Sequence, residues 1–148
     1  MISNYRNNEI ITSILIKQML MKNNDLSISE VLLIAPFLYS VGFRKTIDDG
    51  RINSRSLEEL IQKEKKEALY FNDRYKEYLL NSFNSIMLLE QLKLIKIENG
   101  VISNENNSLL NPTSYKKIKE YEKSIEFLSN IFRKVEVSNI YYLLKIEL

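Results

Sequence analysis

One dipeptide constrains the fold of this chain more than any other feature. Asn99-Gly100 stands between Leu94-Ile95-Lys96-Ile97-Glu98 and Val101-Ile102-Ser103. The first run alternates apolar and polar residues, the period of a half-buried strand. A type I′ turn needs positive φ at both central residues, and Asn-Gly supplies it. The dipeptide between two such runs therefore predicts a β-hairpin over 94–103. The other patterned stretches are helical, so the expected fold is mainly α, with one small sheet.

The helices are marked by their apolar spacing and their ends. Ile10, Ile11, Ile14, Leu15, Met19 and Leu20 cover most of the circumference of a helix over 8–21, which suits a central helix or one lying against a partner. Ser27 and Glu30 form a capping box, and Leu26 with Val31 can form a hydrophobic staple. The helix they open is expected to run from Ile28 to Val41, with Gly42 as a left-handed C-terminal cap. Pro36 inside it should kink or split it, because it lacks an N–H. A polar stretch, 43–54, follows. Ser56 and Glu59 form a second capping box, opening a helix to about Lys65. A further helix covers 67–80. Asn81 or Ser82 is expected to cap another over 83–92. After the hairpin, Asn111-Pro112 is a helix start. The stripe Ile118, Tyr121, Ile125, Leu128 and Phe132 carries a long helix to about Lys134. Ser138 is expected to cap a short terminal helix. With 148 residues this predicts one domain: a helical core over 8–92, the hairpin over 94–103, and C-terminal helices over 112–147.

Composition removes whole classes of chemistry. The chain has no His, no Cys and no Trp, three Gly and two Pro. No nitrogen- or sulfur-ligated zinc, haem or iron–sulfur site can be built, and no Ser-His-Asp or Cys-His arrangement. Gly42, Gly50 and Gly100 lie too far apart for a phosphate-cradling loop. No catalytic residue, cofactor or resident metal is expected. The 21 basic and 19 acidic residues leave a net charge of +2, which gives no strong pull towards DNA or an anionic membrane. The longest apolar run, Val31 to Tyr39, falls far short of the roughly 20 residues that span a bilayer. The N-terminus is too polar for a secretory signal. A cytoplasmic protein is expected.

Helices, then a helix over 83–92, then a hairpin is the order of a winged helix, which binds DNA or protein. The helix before the wing is the one that would enter a major groove. Its polar positions are Asn81, Ser82, Asn84, Ser85, Glu90, Gln91 and Lys93, with no Arg to read guanine and no basic stripe for phosphates. Protein binding is favoured. A DNA-binding winged-helix regulator is the alternative, since Asn and Gln read adenine.

Three other groups carry residue types that could do chemistry. Asp48-Asp49-Gly50, with Glu58 or Glu59, could hold Mg²⁺ in an enzyme, but Asp and Gly are also the commonest turn formers. Lys116, Lys117, Lys119 and Lys123 are interleaved with Glu120, Glu122 and Glu126, as on an exposed charged face. Tyr70, Phe71, Tyr75 and Tyr78 surround Arg74 at largely helical spacing, which fits packing better than base stacking. Interface hot spots favour Arg and aromatic residues. On that bias the candidate partner interface is Arg44, Phe71, Arg74, Tyr141 and Tyr142.

Several segments in order carry a resemblance. These are Asn8 opening an apolar helix, Leu32-Leu33-Ile34-Ala35-Pro36-Phe37-Leu38 with Arg44 or Lys45 shortly after, and Ser54 with Ser56-Leu57. Then come Phe71-Asn72-Asp73-Arg74, the hairpin through Leu94 and Ile97, Phe127-Leu128-Ser129-Asn130-Ile131-Phe132, and Ile140-Tyr141-Tyr142-Leu143-Leu144-Lys145-Ile146. Over almost its full length the chain resembles the middle component of three-component ABC ATPase systems, bacterial anti-phage and anti-plasmid systems of the Lamassu kind. It departs from the family in having Asn8-Glu9 for Asn-Pro, and in lacking a glycine near Lys145. The resemblance implies a non-enzymatic adaptor between an SMC-like ABC ATPase and an effector, often a nuclease, which it helps restrain until foreign DNA is sensed. DNA would be met only indirectly, through the complex.

Overall fold

The computed structural model describes residues 2–52, 56–106 and 118–148. In chain order its elements are α1 (Ile2–Asn23), β1 (Asp25–Ser27), α2 (Ile28–Leu38), α3 (Val41–Asp48), α4 (Leu57–Lys63), α5 (Lys65–Leu69), α6 (Phe71–Gln91), β2 (Ile95–Glu98), β3 (Val101–Asn104), α7 (Glu122–Lys134) and α8 (Val137–Leu143). A 3-10 turn at Lys119–Tyr121 leads into α7. The fold is mainly α with one small antiparallel sheet. The expected Asn111-Pro112 helix start lies outside the described residues.

The capping box at the start of α2 is present: Ser27 Oγ accepts from the Glu30 amide at 3.1 Å, and Glu30 Oε1 accepts from the Ser27 amide at 2.9 Å. Every residue from Val31 to Leu38 is buried, so the apolar run is the central helix of the core. The single helix expected over 28–41 is instead split. It ends at Leu38, two residues after Pro36, and Ser40 caps α3 by accepting from the Phe43 amide at 3.2 Å. Gly42 is therefore not a left-handed cap but part of the first turn of α3. Its role is close approach: a Cβ there would sit 2.5 Å from Glu67 Cγ. The expected polar stretch after it is α3, which buries Phe43 and Thr46. The left-handed cap falls at Gly50, with φ 66°.

The break expected at Asn81-Ser82 does not exist. α6 runs unbroken through both, and both are buried. Asn and Ser favour caps because their side chains compete for local backbone groups. Here α1 satisfies Asn81 instead: Thr12 Oγ1 donates to Asn81 Oδ1 at 2.7 Å. Ser85 Oγ lies within donating distance of the Glu9 carbonyl, 3.1 Å, and the Asn81 carbonyl, 2.8 Å. Small polar side chains thus line the seam where α1 packs on α6.

The hairpin is where the sequence places it. Asn99 and Gly100 take φ of 53° and 76°, both in the left-handed region, and Glu98 pairs with Val101. Ile95 and Ile102 are buried and Ile97 is half-buried. A third strand was not foreseen. β1 pairs with β3, Leu26 opposite Ile102, giving the order β1-β3-β2. Three residues are too few to show alternation. Lys17 fastens α1 to the base of the hairpin. Its Nζ donates to the Leu94 carbonyl at 2.8 Å and to Asn104 Oδ1 and the Asn106 carbonyl.

The expected stripe faces the core, but not on one long helix: Ile118 and Tyr121 belong to the 3-10 turn and its cap, and Ile125, Leu128 and Phe132 to α7. All are buried except Tyr121, which is partly so. α8 begins one residue before Ser138, with Glu136 at its N-cap and no side-chain cap. It closes at Lys145, φ 54°, where the Lys145 amide donates to the Tyr142 carbonyl and the Ile146 amide to the Tyr141 carbonyl. This is a Schellman motif with lysine at the position glycine usually fills.

Candidate partner interface

The structure draws two of the five candidate residues to one patch. Tyr39, at the end of α2, packs on Tyr78 of α6 with ring centroids 5.3 Å apart, and edge-on to Tyr121 at 5.9 Å. The Arg44 guanidinium lies 4.7 Å from the centre of the Tyr121 ring, and its Nη1 donates to the Leu38 carbonyl at 3.3 Å. Arg74 reaches the same turn from α6: Nη1 lies 3.5 Å from the Tyr39 carbonyl, and Nη2 pairs with Glu67 at 2.9 Å. Glu67 also accepts from Ser40 Oγ at 2.6 Å. The two arginines thus flank three tyrosines, and all five side chains are half-buried.

Burial raises the phenol pKa of Tyr39, Tyr78 and Tyr121. For Tyr39 the hydrogen bond with Thr12 works against burial. For Tyr121 the nearby Arg44 charge does so, and for Tyr78 the Arg74 charge. The phenols stay neutral at physiological pH. What the patch offers is flat aromatic surface with oriented guanidinium donors, chemistry suited to binding rather than proton transfer.

The other three candidates separate. Phe71 is 0% exposed and stacked with Phe43 at 6.2 Å, so it belongs to the core and cannot meet a partner. The aromatic bias of interface hot spots points to it, but the first turn of α6 is inserted against α3 and the ring is spent on the core. Tyr141 is half-buried: its ring meets Tyr75 edge-on at 5.5 Å, and its hydroxyl donates to the Ser29 carbonyl at 2.7 Å. Tyr142 is 82% exposed.

A further surface escaped the sequence reading. On the outward side of α6, Leu80, Phe83 and Met87 are 62%, 46% and 56% exposed. They follow at spacings of three and then four, a stripe distinct from the buried Phe71, Tyr75, Ile86 and Leu89. The signal was available. A long helix with two apolar stripes has one more than a single core requires. The cap-forming Asn81-Ser82 masks it, because a helix boundary there divides the stripe.

Among the described residues, the acidic turn, the lysine cluster and the aromatic group around Arg74 do not assemble into sites. Asp48 and Asp49 end α3, and Asp49 pairs with Arg51 at 3.5 Å. Among the described residues no three His, Cys, Asp or Glu side chains gather as metal ligands would. Lys123 Nζ donates to the Asp48 carbonyl at 3.3 Å, and Lys119 is exposed. Lys116 and Lys117 lie outside the described residues. Tyr70 is exposed and Tyr75 buried, so the aromatic residues around Arg74 do not form one stacking platform.

A family model described as ABC-three component (ABC-3C) system Middle Component 3 matches residues 6–148. The chain belongs to this family. Membership makes it one component of a three-part ABC system, as the resemblance in the sequence implied. Neither the curated proteins nor the solved structures contain a match. No described helix is long and apolar enough to cross a membrane.

Proposed function

We propose that this middle component is a non-enzymatic adaptor. It joins an SMC-like ABC ATPase to a nuclease effector in a cytoplasmic, Lamassu-like defence complex, and restrains the effector until foreign DNA is sensed. Contact is its mechanism. ATP hydrolysis and DNA cleavage belong to its partners.

The observation that carries this reading is the outward face of α6. The order α1, β1, α2, α6 and hairpin, with β1 added beside β3, supports a winged-helix-like reading in which α3, α4 and α5 are inserted. α6 is then the helix that would lie in a major groove. A DNA reader needs cations and amides on that face. Here Asn81, Ser82 and Ser85 are turned inward, and Leu80, Phe83 and Met87 face out. An exposed apolar stripe favours a protein. Arg44, Arg74, Tyr141 and Tyr142 are the residues we assign to contacts with the other components, and the Arg44–Tyr121–Tyr39–Tyr78–Arg74 patch is the surface we expect one of them to cover.

The test is co-expression of the tagged chain with its neighbouring genes, followed by purification from nuclease-treated lysate. A stoichiometric ABC ATPase is the expected result. Recovery of the chain alone, with DNA affinity that falls steeply with salt, would instead establish a winged-helix regulator. Metal-dependent turnover lost in Asp48→Asn would establish an enzyme.

A further inference from the structure

The outward face of α6 carries more than three apolar residues. Lys76 lies seven residues before Phe83 and Glu90 seven after it, and both are exposed. Seven residues are nearly two helical turns, so such positions drift by only about 20° around a helix. Lys76, Phe83 and Glu90 therefore fall on one line, with Leu80 and Met87 beside it. The face reads cation, apolar, anion, and it is symmetric in spacing about Phe83. Neither Lys76 nor Glu90 joins an ion pair among the described residues.

Such a face complements itself when it is reversed. Two copies of α6 laid antiparallel, with the two-fold axis at Phe83, bring Lys76 of each level with Glu90 of the other. Leu80 then faces the Met87 end of the second stripe, and the two Phe83 rings meet at the axis. Laid parallel, the same helices would oppose Lys76 to Lys76 and Glu90 to Glu90. Closed two-fold pairing of one surface with itself is the commonest form of assembly among soluble proteins.

We propose that α6 pairs antiparallel with a second copy of this chain through Lys76, Leu80, Phe83, Met87 and Glu90, so that the adaptor is a two-fold dimer. This rests on the reading of that face as protein-binding and names its occupant. Each dimer then presents two copies of the arginine–tyrosine patch, one for each of two copies of the component that covers it.

Sedimentation equilibrium of the purified full chain over a range of concentrations tests this. Dimers are expected for the wild type. Phe83→Asp, which places two carboxylates on the axis, should give monomers with an unchanged circular dichroism spectrum. Lys76→Glu alone should weaken dimerisation at least tenfold, and Lys76→Glu with Glu90→Lys should restore it. That rescue is specific to self-pairing. A monomeric wild type, a dimer indifferent to Phe83→Asp, or a double swap without rescue would overturn the proposal. Co-purification of Phe83→Asp with the ABC ATPase separates the two readings. Retention with loss of the dimer supports both. A monomeric wild type whose ATPase binding is lost in Phe83→Asp would overturn the dimer and leave the adaptor standing, with a different protein on this face.

Discussion

Among the described residues, four that are not glycine hold positive φ: Asn24, Lys93, Asn99 and Lys145. Lys93 and Lys145 are the costly ones. Each closes a helix in a Schellman motif, and the Lys93 amide donates to the Glu90 carbonyl while Leu94 donates to Leu89. The left-handed region crowds a Cβ, and asparagine tolerates it better than lysine does. Neither lysine makes an ion pair among the described residues that would offset this. Lys145→Gly and Lys93→Gly should each stabilise the fold by about 0.5–1 kcal/mol, the relief of strain less the entropy glycine adds to the unfolded chain. Thermal melting checks this, with an expected rise of roughly 2–4 °C each. A fall in either variant would mean that the lysine side chain holds something in place.

At the scale of elements, the α2–α3 break is held from outside. Glu67 of α5 accepts from Ser40, the cap of α3, and pairs with Arg74 of α6, while its methylenes lie over Gly42. Three elements meet at one carboxylate. Alanine in a helix is ordinarily better than glycine by about 1 kcal/mol. Gly42→Ala should nevertheless destabilise the fold by about 1–2 kcal/mol, because the new methyl displaces Glu67 from both partners. Urea titration of a double-mutant cycle checks this. On a Glu67→Ala background the same Gly42→Ala change should be neutral or stabilising, since the clash has gone. Equal effects on both backgrounds would place the cause elsewhere.

At the scale of the molecule, alkaline pH probes the packing. Burial holds the phenols of Tyr39, Tyr78, Tyr121 and Tyr141 above their usual pKa. A group whose pKa is raised on folding contributes stability that is whole below its unfolded value, near 10, and is lost as pH rises beyond it. Lys17 acts in the opposite sense. Its pKa is lowered by burial, so stability rises with pH between its folded value and about 10.4. Four phenols against one amine should make stability fall above pH 10. Of the nine tyrosines, these four should ionise late and together with unfolding, as read by phenolate absorbance beside circular dichroism. Tyr39→Phe with Tyr141→Phe should flatten that fall. Simple independent titration of all nine would contradict the packing described.

What the sequence determined alone was local. The Asn99-Gly100 hairpin, the Ser27–Glu30 capping box, the α7 stripe and the mainly α fold each follow from residues within a turn or two of one another. Their backbone preferences need no distant partner. The absence of His and Cys likewise fixed, without any structure, which sites cannot be built. Only the tertiary structure decided the rest, because the competing local preferences were close in energy. Asn81 and Ser82 favour a cap, and Thr12 from α1 satisfies Asn81 within a continuous α6. Gly42 could have ended a helix, and Glu67 made it the place where two elements touch. Asp25–Ser27 became a strand because β3 had a free edge beside it. Phe71 and Phe83 are the same residue type on one helix. One is buried and the other exposed, because α3 packs over the first and no described element covers the second.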